Sequence, residues 1–296
     1  MTWQFALAGL AVGVLVGMTG MGAGSLMTPI LVFIFGFNPA TAIGTDILHG
    51  AIFKSVGGLR HHTLGTTQAK LSGWMFVGSA PASLLGVTTA TWLKHKYGGG
   101  IQSTEGKILG AALLLGALGM LLKSSLRVRE VADGPFVLRR RDKIAAILIG
   151  LFGGYIVGLT SVGSGVFFGL TLLFVFPLRA HKVVGTDILH AAGLLWVAGF
   201  GHLIAGNVDL HAMGWLLIGS IPGVLAGSQF SVKVGDRTLR ILLSLVLFAS
   251  GAKLVEPNGY GWLGWTGGFV VVTALTLWAV RVRDGARLAA PIARVD

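Results

Sequence analysis

Cysteine is absent from the 296 residues, and charge is scarce: 23 Lys and Arg with 11 Asp and Glu make up 11% of the chain. The first absence excludes disulfides, thiolate metal sites and cysteine nucleophiles together. The second excludes an ordinary soluble domain, in which about a quarter of residues are charged. Apolar residues fill the space instead. They are 53% of the chain, mean hydropathy is +0.79, and apolar runs of about twenty residues recur along nearly the whole length, so lipid is the natural solvent. A formal charge of +12 is also a feature of nucleic-acid binders, but most of these basic residues stand in loops between apolar segments, where positive charge marks cytoplasmic sides. A bilayer is therefore the expected partner, and nucleic acid is not. The N-terminus has no basic n-region and no small-residue cleavage site, so its apolar stretch reads as retained rather than as a signal peptide.

The candidate membrane segments are 3–36, 41–59, 71–93, 107–122, 144–177, 183–205, 212–232, 239–254 and 262–280. As one straight helix, 3–36 would run about 50 Å against a hydrocarbon core of about 30 Å. Its middle holds Gly17, Gly20, Gly22 and Gly24, and that of 144–177 holds Gly158, Gly163 and Gly165. Glycine loosens a helix where it accumulates. Each over-long segment is expected to form two shorter helices meeting at a glycine-rich turn.

Shifting the sequence by 141 residues aligns 13–86 with 154–227 without a gap, and about a third of the positions are identical. Gly-Thr-Asp-Ile-Leu-His occurs at 44–49 and again at 185–190; His61 matches His202, and Trp74, Ser79 and Pro81 match Trp215, Ser220 and Pro222. So long a period means two duplicated halves rather than a solenoid. The expected organisation is a first membrane repeat over 1–123, a basic cytoplasmic linker over 124–143, a second repeat over 144–280 and a basic cytoplasmic tail over 281–296. Arg127, Arg129, Arg139, Arg140 and Arg141 in the linker, with Lys233, Arg237 and Arg240, mark the inside, while 206–210, without Lys or Arg, falls outside. An odd number of net crossings then separates the repeats and gives them opposite orientations. The stretch 94–107, with three lysines on the outer side, runs against this assignment. The fold class is all-α and polytopic, with about 8–10 membrane helices in two inverted repeats, each opening on a glycine-broken helical hairpin.

Of the eleven acidic residues, only Asp46 and Asp187 sit inside apolar segments, at equivalent positions. An uncompensated carboxylate at bilayer depth costs about 2.5–3.5 kcal/mol on insertion scales, so two need a reason. They either cap helices that start after Gly-Thr or belong to a polar permeation site. His49 and His190 follow three residues later, on the same helical face. The Asp46/His49 and Asp187/His190 pairs are candidates for proton coupling; a histidine bonded to its own aspartate for packing is the alternative. Metal binding is not expected, because no further ligand pattern accompanies them, and no cofactor is implied. Lys54 is the one basic residue away from the ends of an apolar segment, and its counterpart is Leu195. It either neutralises Asp46 and attracts an anion or snorkels to the nearer interface. His61 and His202 are candidates to frame an entrance. If the glycine turns break their helices within the membrane, backbone N–H groups and positive helix ends favour a small oxyanion. The substrate-binding candidates are Thr19, Gly22, Gly24, Ser25, Thr45, Lys54, Thr160, Ser161, Gly163, Ser164, Gly165 and Thr186. Close helix packing through small residues is the alternative for the glycines.

The glycine-rich turn followed by Pro29, the paired Gly-Thr-Asp-Ile-Leu-His, Lys54 with His61, His62 and Gly65, and the stretch 201–209 around Gly-His and Gly-Asn-Val-Asp together resemble the TauE/SafE family of sulfite and organosulfonate exporters, also called toluene-sulfonate uptake permeases. The resemblance covers most of the chain. It implies a multi-pass permease of the bacterial inner membrane for anions with sulfur oxyacid or carboxylate groups, and carboxylates at 46 and 187 favour proton or cation coupling over direct anion contact. The expected function is secondary transport of a small anion such as sulfite or an organosulfonate, coupled to the proton gradient. Protons and lipid are then partners, and a homo-oligomer is compatible with the sequence. A passive anion channel would use the same groups without coupling. An intramembrane hydrolase built on Ser164 is the enzyme alternative and is not expected, since the first half has Ala23 in its place.

Overall fold

The computed structural model describes residues 2–19, 24–98, 104–125, 136–230, 236–256 and 260–288. Among them the regular elements are all helices: α1 (Thr2–Thr19), α2 (Gly24–Phe33), α3 (Pro39–Thr63), α4 (Ala69–Tyr97), α5 (Thr104–Ser125), α6 (Arg140–Thr160), α7 (Phe167–Val175), α8 (Ala180–Ile204), α9 (Leu210–Phe230), α10 (Asp236–Val255) and α11 (Gly261–Leu288). Helices α5, α6 and α8 are long and apolar enough to cross a bilayer, and α1, α9, α10 and α11 contain shorter apolar stretches. Large apolar side chains such as Leu7, Leu85, Leu115, Phe152, Leu225 and Val271 face outward, while Asp46, His49, Lys54, Asp187 and His190 are buried. Polar groups inside and apolar groups outside are what hydrocarbon demands. The chain is an all-α, multi-pass membrane protein.

Both over-long segments divide as their glycines require. The first becomes α1 and α2; Gly22 lies, with the rest of 20–23, outside the described residues, as do the side chains of Thr19 and Ser25, and Gly24 opens α2. The second becomes α6 and α7, separated by 161–166. There Ser161 (φ 60°), Gly163 (φ 126°) and Gly165 (φ 105°) leave the right-handed helix. Ser161 is left-handed where α6 ends, its N–H bonding back to the Val157 carbonyl at 2.8 Å. With ten and nine residues, α2 and α7 are about 15 and 14 Å long, half the thickness of the hydrocarbon.

The repeats do not pack as separate bodies. Helix α1 lies on α9, α4 on α6, α3 on α8 and α5 on α10, so the main partner of each comes from the other half. The contacts repeat with the 141-residue period: a Cβ on Gly13 would collide with the Ser220 carbonyl, and one on Gly154 with that of Ser79. Between α3 and α8 the neighbours run from Leu48 beside Gly199, through Ser55 beside Trp196, to Gly58 beside Leu189. Numbers rise on one helix as they fall on the other, so a helix meets its own duplicate head to tail. Among the described residues helix α11 has no counterpart in the first repeat, and it continues to Leu288, past the expected boundary at 280. At the linker, 126–135 lie outside the described residues, and 140–143 already form the first turn of α6.

Candidate functional site

Asp46, Gly50 and Lys54 stand four residues apart on α3, which places them on one face, with the backbone positions of Asp46 and Lys54 about 12 Å apart along the axis. Asp46 is 1% and Lys54 5% exposed. Asp46 lies well inside an unbroken helix, and Asp187 lies equally deep in α8. The helix-capping reading of both is therefore incorrect, because the chain is already helical before Gly44 and Gly185. One carboxylate oxygen of Asp46, Oδ2, accepts hydrogen bonds from Thr28 Oγ1 at 2.5 Å and Ser161 Oγ at 2.9 Å. Its other oxygen is buried with no partner among the described residues.

Lys54 does not snorkel. Its ammonium points inward and donates to Ser164 Oγ at 2.8 Å, and it interacts electrostatically with both Asp46 and Asp187. Ser161 and Ser164 thus fix the second helix break alongside α3, one at the carboxylate and the other at the ammonium. The first break has Gly20 and Ala23 at these positions, so this arrangement belongs to one half only.

The histidines are placed differently from expectation. His49 is not bonded to Asp46: its Nε2 pairs with Ser220 Oγ at 2.8 Å, and His190 Nε2 pairs with Ser79 Oγ at 2.9 Å. Each imidazole reaches the serine of the opposite repeat, and each keeps a buried Nδ1 without a partner among the described residues. Thr45 and Thr186 are equally reciprocal. Thr45 Oγ1 accepts the Asp209 N–H and Thr186 Oγ1 the Gln68 N–H, both at 2.9 Å. These hydroxyls hold the starts of α9 and α4 and do not join the cluster around Lys54, because a helix start leaves backbone donors that need an acceptor. His202 does not frame an entrance either; it is fully buried, with Nε2 on the Gly158 carbonyl at 2.8 Å. His61 is partly exposed and bonds Thr66.

Residues 160–166 are all buried. Thr160 Oγ1 donates to the Ile156 carbonyl at 2.7 Å and accepts the Val162 N–H at 3.2 Å. It braces the break from within, and the amides of Ser161 and Val162 at the start of the break are both bonded inside the chain. Gly163 and Gly165 supply the backbone turn that brings Ser164 to Lys54. Among the described residues no three His, Asp or Glu side chains gather as metal ligands.

Three site residues escaped the sequence reading: Thr28, Ser79 and Ser220. The serines carried a usable signal, since both follow a glycine and stand two residues before a proline at equivalent positions, and a small hydroxyl duplicated within an apolar run is a candidate partner for a duplicated buried histidine. Thr28 has Gly169 as its counterpart and offered no such sign.

Comparison with known proteins places these features in context. A family model described as sulfite exporter TauE/SafE matches residues 5–254. The chain is 36% identical to the probable membrane transporter protein YjnA of Bacillus subtilis, over 86% of this chain and all of that one. It is 24% identical to the probable membrane transporter protein YdhB of the same organism, covering 82% and 96% of the two chains. Against the probable membrane transporter protein YfcA of Escherichia coli the identity is 26%, covering 83% and 87%. No solved structure matches the chain.

Proposed function

Since the chain belongs to the sulfite exporter TauE/SafE family of membrane transporters, we propose that it is a secondary transporter of a small anion, sulfite or an organosulfonate, across the bacterial inner membrane. The observation that carries this reading is Lys54: an ammonium buried in the membrane interior, on the same face of α3 as Asp46 and hydrogen-bonded to a serine in a helix break. A buried charge is expensive to keep in a membrane and marks a substrate or ion pathway. The anion takes Lys54 from Ser164 and completes its shell with the hydroxyls of the breaks. Asp46 and Asp187, near enough to feel the same ammonium, exchange protons as its charge is engaged and released. Such a carboxylate–ammonium–carboxylate arrangement gives a carrier what a passive channel has no use for, a means of linking anion occupancy to protonation. His49 and His190 brace the two repeats across their interface.

Opposite orientation of the repeats is supported by the head-to-tail meeting of α3 with its duplicate α8, since duplicated helices of equal orientation would meet in parallel. Substrate access then alternates as one half rocks against the other around the site.

The test is flux in proteoliposomes with the purified protein. Imposed proton gradients should drive uptake or release of labelled sulfite or sulfonate. Lys54→Met should reduce flux at least about tenfold, the effect of losing about 1.4 kcal/mol of binding, and Asp46→Asn with Asp187→Asn should abolish the gradient dependence while the protein stays folded. Unaltered gradient-driven flux in the double variant refutes the coupling role. Flux that shows no counterflow would identify a channel instead.

A further inference from the structure

Where α4 and α6 begin, a cavity of about 580 Å³ opens between Gln68, Ala69, Lys70 and Trp74 on one side and Phe136, Val137, Leu138 and Lys143 on the other. Its volume is within the usual range of small-molecule sites, about 300–1,000 Å³. Two ammonium groups line it, and that of Lys143 stands 5.1 Å from the centre of the Trp74 ring, a cation–π contact that fixes it at the mouth. Exposed Arg139, Arg140 and Arg141 stand immediately beside it. The nearby carboxylate of Asp142 is turned to its own helix start, where it accepts the Arg139 N–H at 2.8 Å, so the local field is positive. Beyond the mouth the surface is apolar. Val77, three residues on from Trp74, and Ile144 and Leu148, following Lys143, are all exposed.

The duplication supplies an internal control. At the 141-residue shift Trp74 returns as Trp215, but Gln68 becomes Asp209, Lys70 becomes His211 and Lys143 corresponds to Thr2. The aromatic wall is common to both copies; the cations belong to one, and the other has gained a carboxylate. A structural role in starting two parallel helices would apply equally to both copies; the inside position of this end accounts for basic residues here, and the cavity enclosed by two of them is what makes an anion site.

We propose that this cavity is a binding site for the phosphate of an anionic phospholipid. The phosphodiester lies between Lys70 and Lys143, the glycerol region sits against Trp74, and the acyl chains follow Val77, Ile144 and Leu148 along the helices. Cationic pockets at the interface, open to lipid on one side, have the chemistry for such headgroups. The inference is independent of what the protein transports.

Native mass spectrometry of the full chain, purified in detergent and titrated with phosphatidylglycerol or with phosphatidylcholine of the same acyl composition, tests it. Phosphatidylglycerol should bind in one-to-one excess over phosphatidylcholine. Lys70→Gln with Lys143→Gln should weaken it about thirtyfold, from about fivefold per lysine, while Lys70→Arg with Lys143→Arg restores it and His211→Gln leaves it unchanged. Equal binding of the two lipids, or undiminished phosphatidylglycerol binding in the glutamine double variant, would overturn the proposal. So would displacement of the lipid by millimolar inorganic phosphate, which would identify a site for free anions. Should the glutamine variant not fold, Trp74→Ala serves in its place, and retained lipid selectivity there also counts against the site.

Discussion

Ser79 and Ser220 perform one task in opposite directions, each holding the buried histidine of the other half. Removing either hydroxyl leaves an imidazole nitrogen without its partner, at a cost of about 1–3 kcal/mol. Ser79→Ala and Ser220→Ala should therefore destabilise the protein by that amount and in equal measure, as read from denaturant unfolding in detergent; a loss from one variant alone would refute reciprocal bracing. At this scale the sequence was only partly legible. Composition singled out Asp46, Asp187, His49, His190 and Lys54, because charge and imidazole are rare in apolar segments. The pairing was not legible. Helical spacing joins His49 to Asp46, whereas the structure joins it to a serine 171 positions away, and no local rule reaches across a repeat interface. Lys54 shows the same limit: its chemistry was plain, but its direction, inward to Ser164 rather than outward to the interface, depends on a break in the other half.

Among the helices, small residues set how closely α4 and α6 approach. A Cβ at Gly154 would strike the backbone of Ser79, while one at Gly73, also helical, would meet nothing within 4 Å. Gly154→Ala should cost about 1–3 kcal/mol through overpacking, and Gly73→Ala should gain about 0.5–1 kcal/mol from helix propensity; thermal unfolding of the two variants would show opposite shifts. Element boundaries were the most legible part of the chain. Length against bilayer thickness predicted that both over-long segments break, and glycine placed the breaks. Which amides such a break presents was not legible, because Thr160 and Val157 consume two of them internally.

Over the whole molecule, the basic linker and the loop between α8 and α9 should lie on opposite faces. The lack of cysteine makes this directly measurable: Val137→Cys should react with impermeant maleimide only from inside the cell and Leu210→Cys only from outside. Labelling of both from one face would invalidate the orientation. Two of the three lysines of 94–107, which run against it, have a structural explanation. Lys94 donates to Asn207 Oδ1 at 2.8 Å and neighbours the buried Glu105, and Lys96 lies over the rings of Trp92 and Tyr97. Two of the three are therefore engaged by other groups rather than free to set topology.

The exchange of partners between halves also governs how the protein is made. The carbonyl that faces Gly13 of α1 belongs to Ser220 of α9, about 200 residues later in synthesis, and at about 5–20 residues per second α1 waits about 10–40 s in the bilayer before it can dock. Ribosome and translocon must release a half-finished molecule whose first helix is still waiting for its mate. Cutting the gene within the linker should yield two fragments that are each degraded when expressed alone and that accumulate together when co-expressed, as two subunits of one assembly.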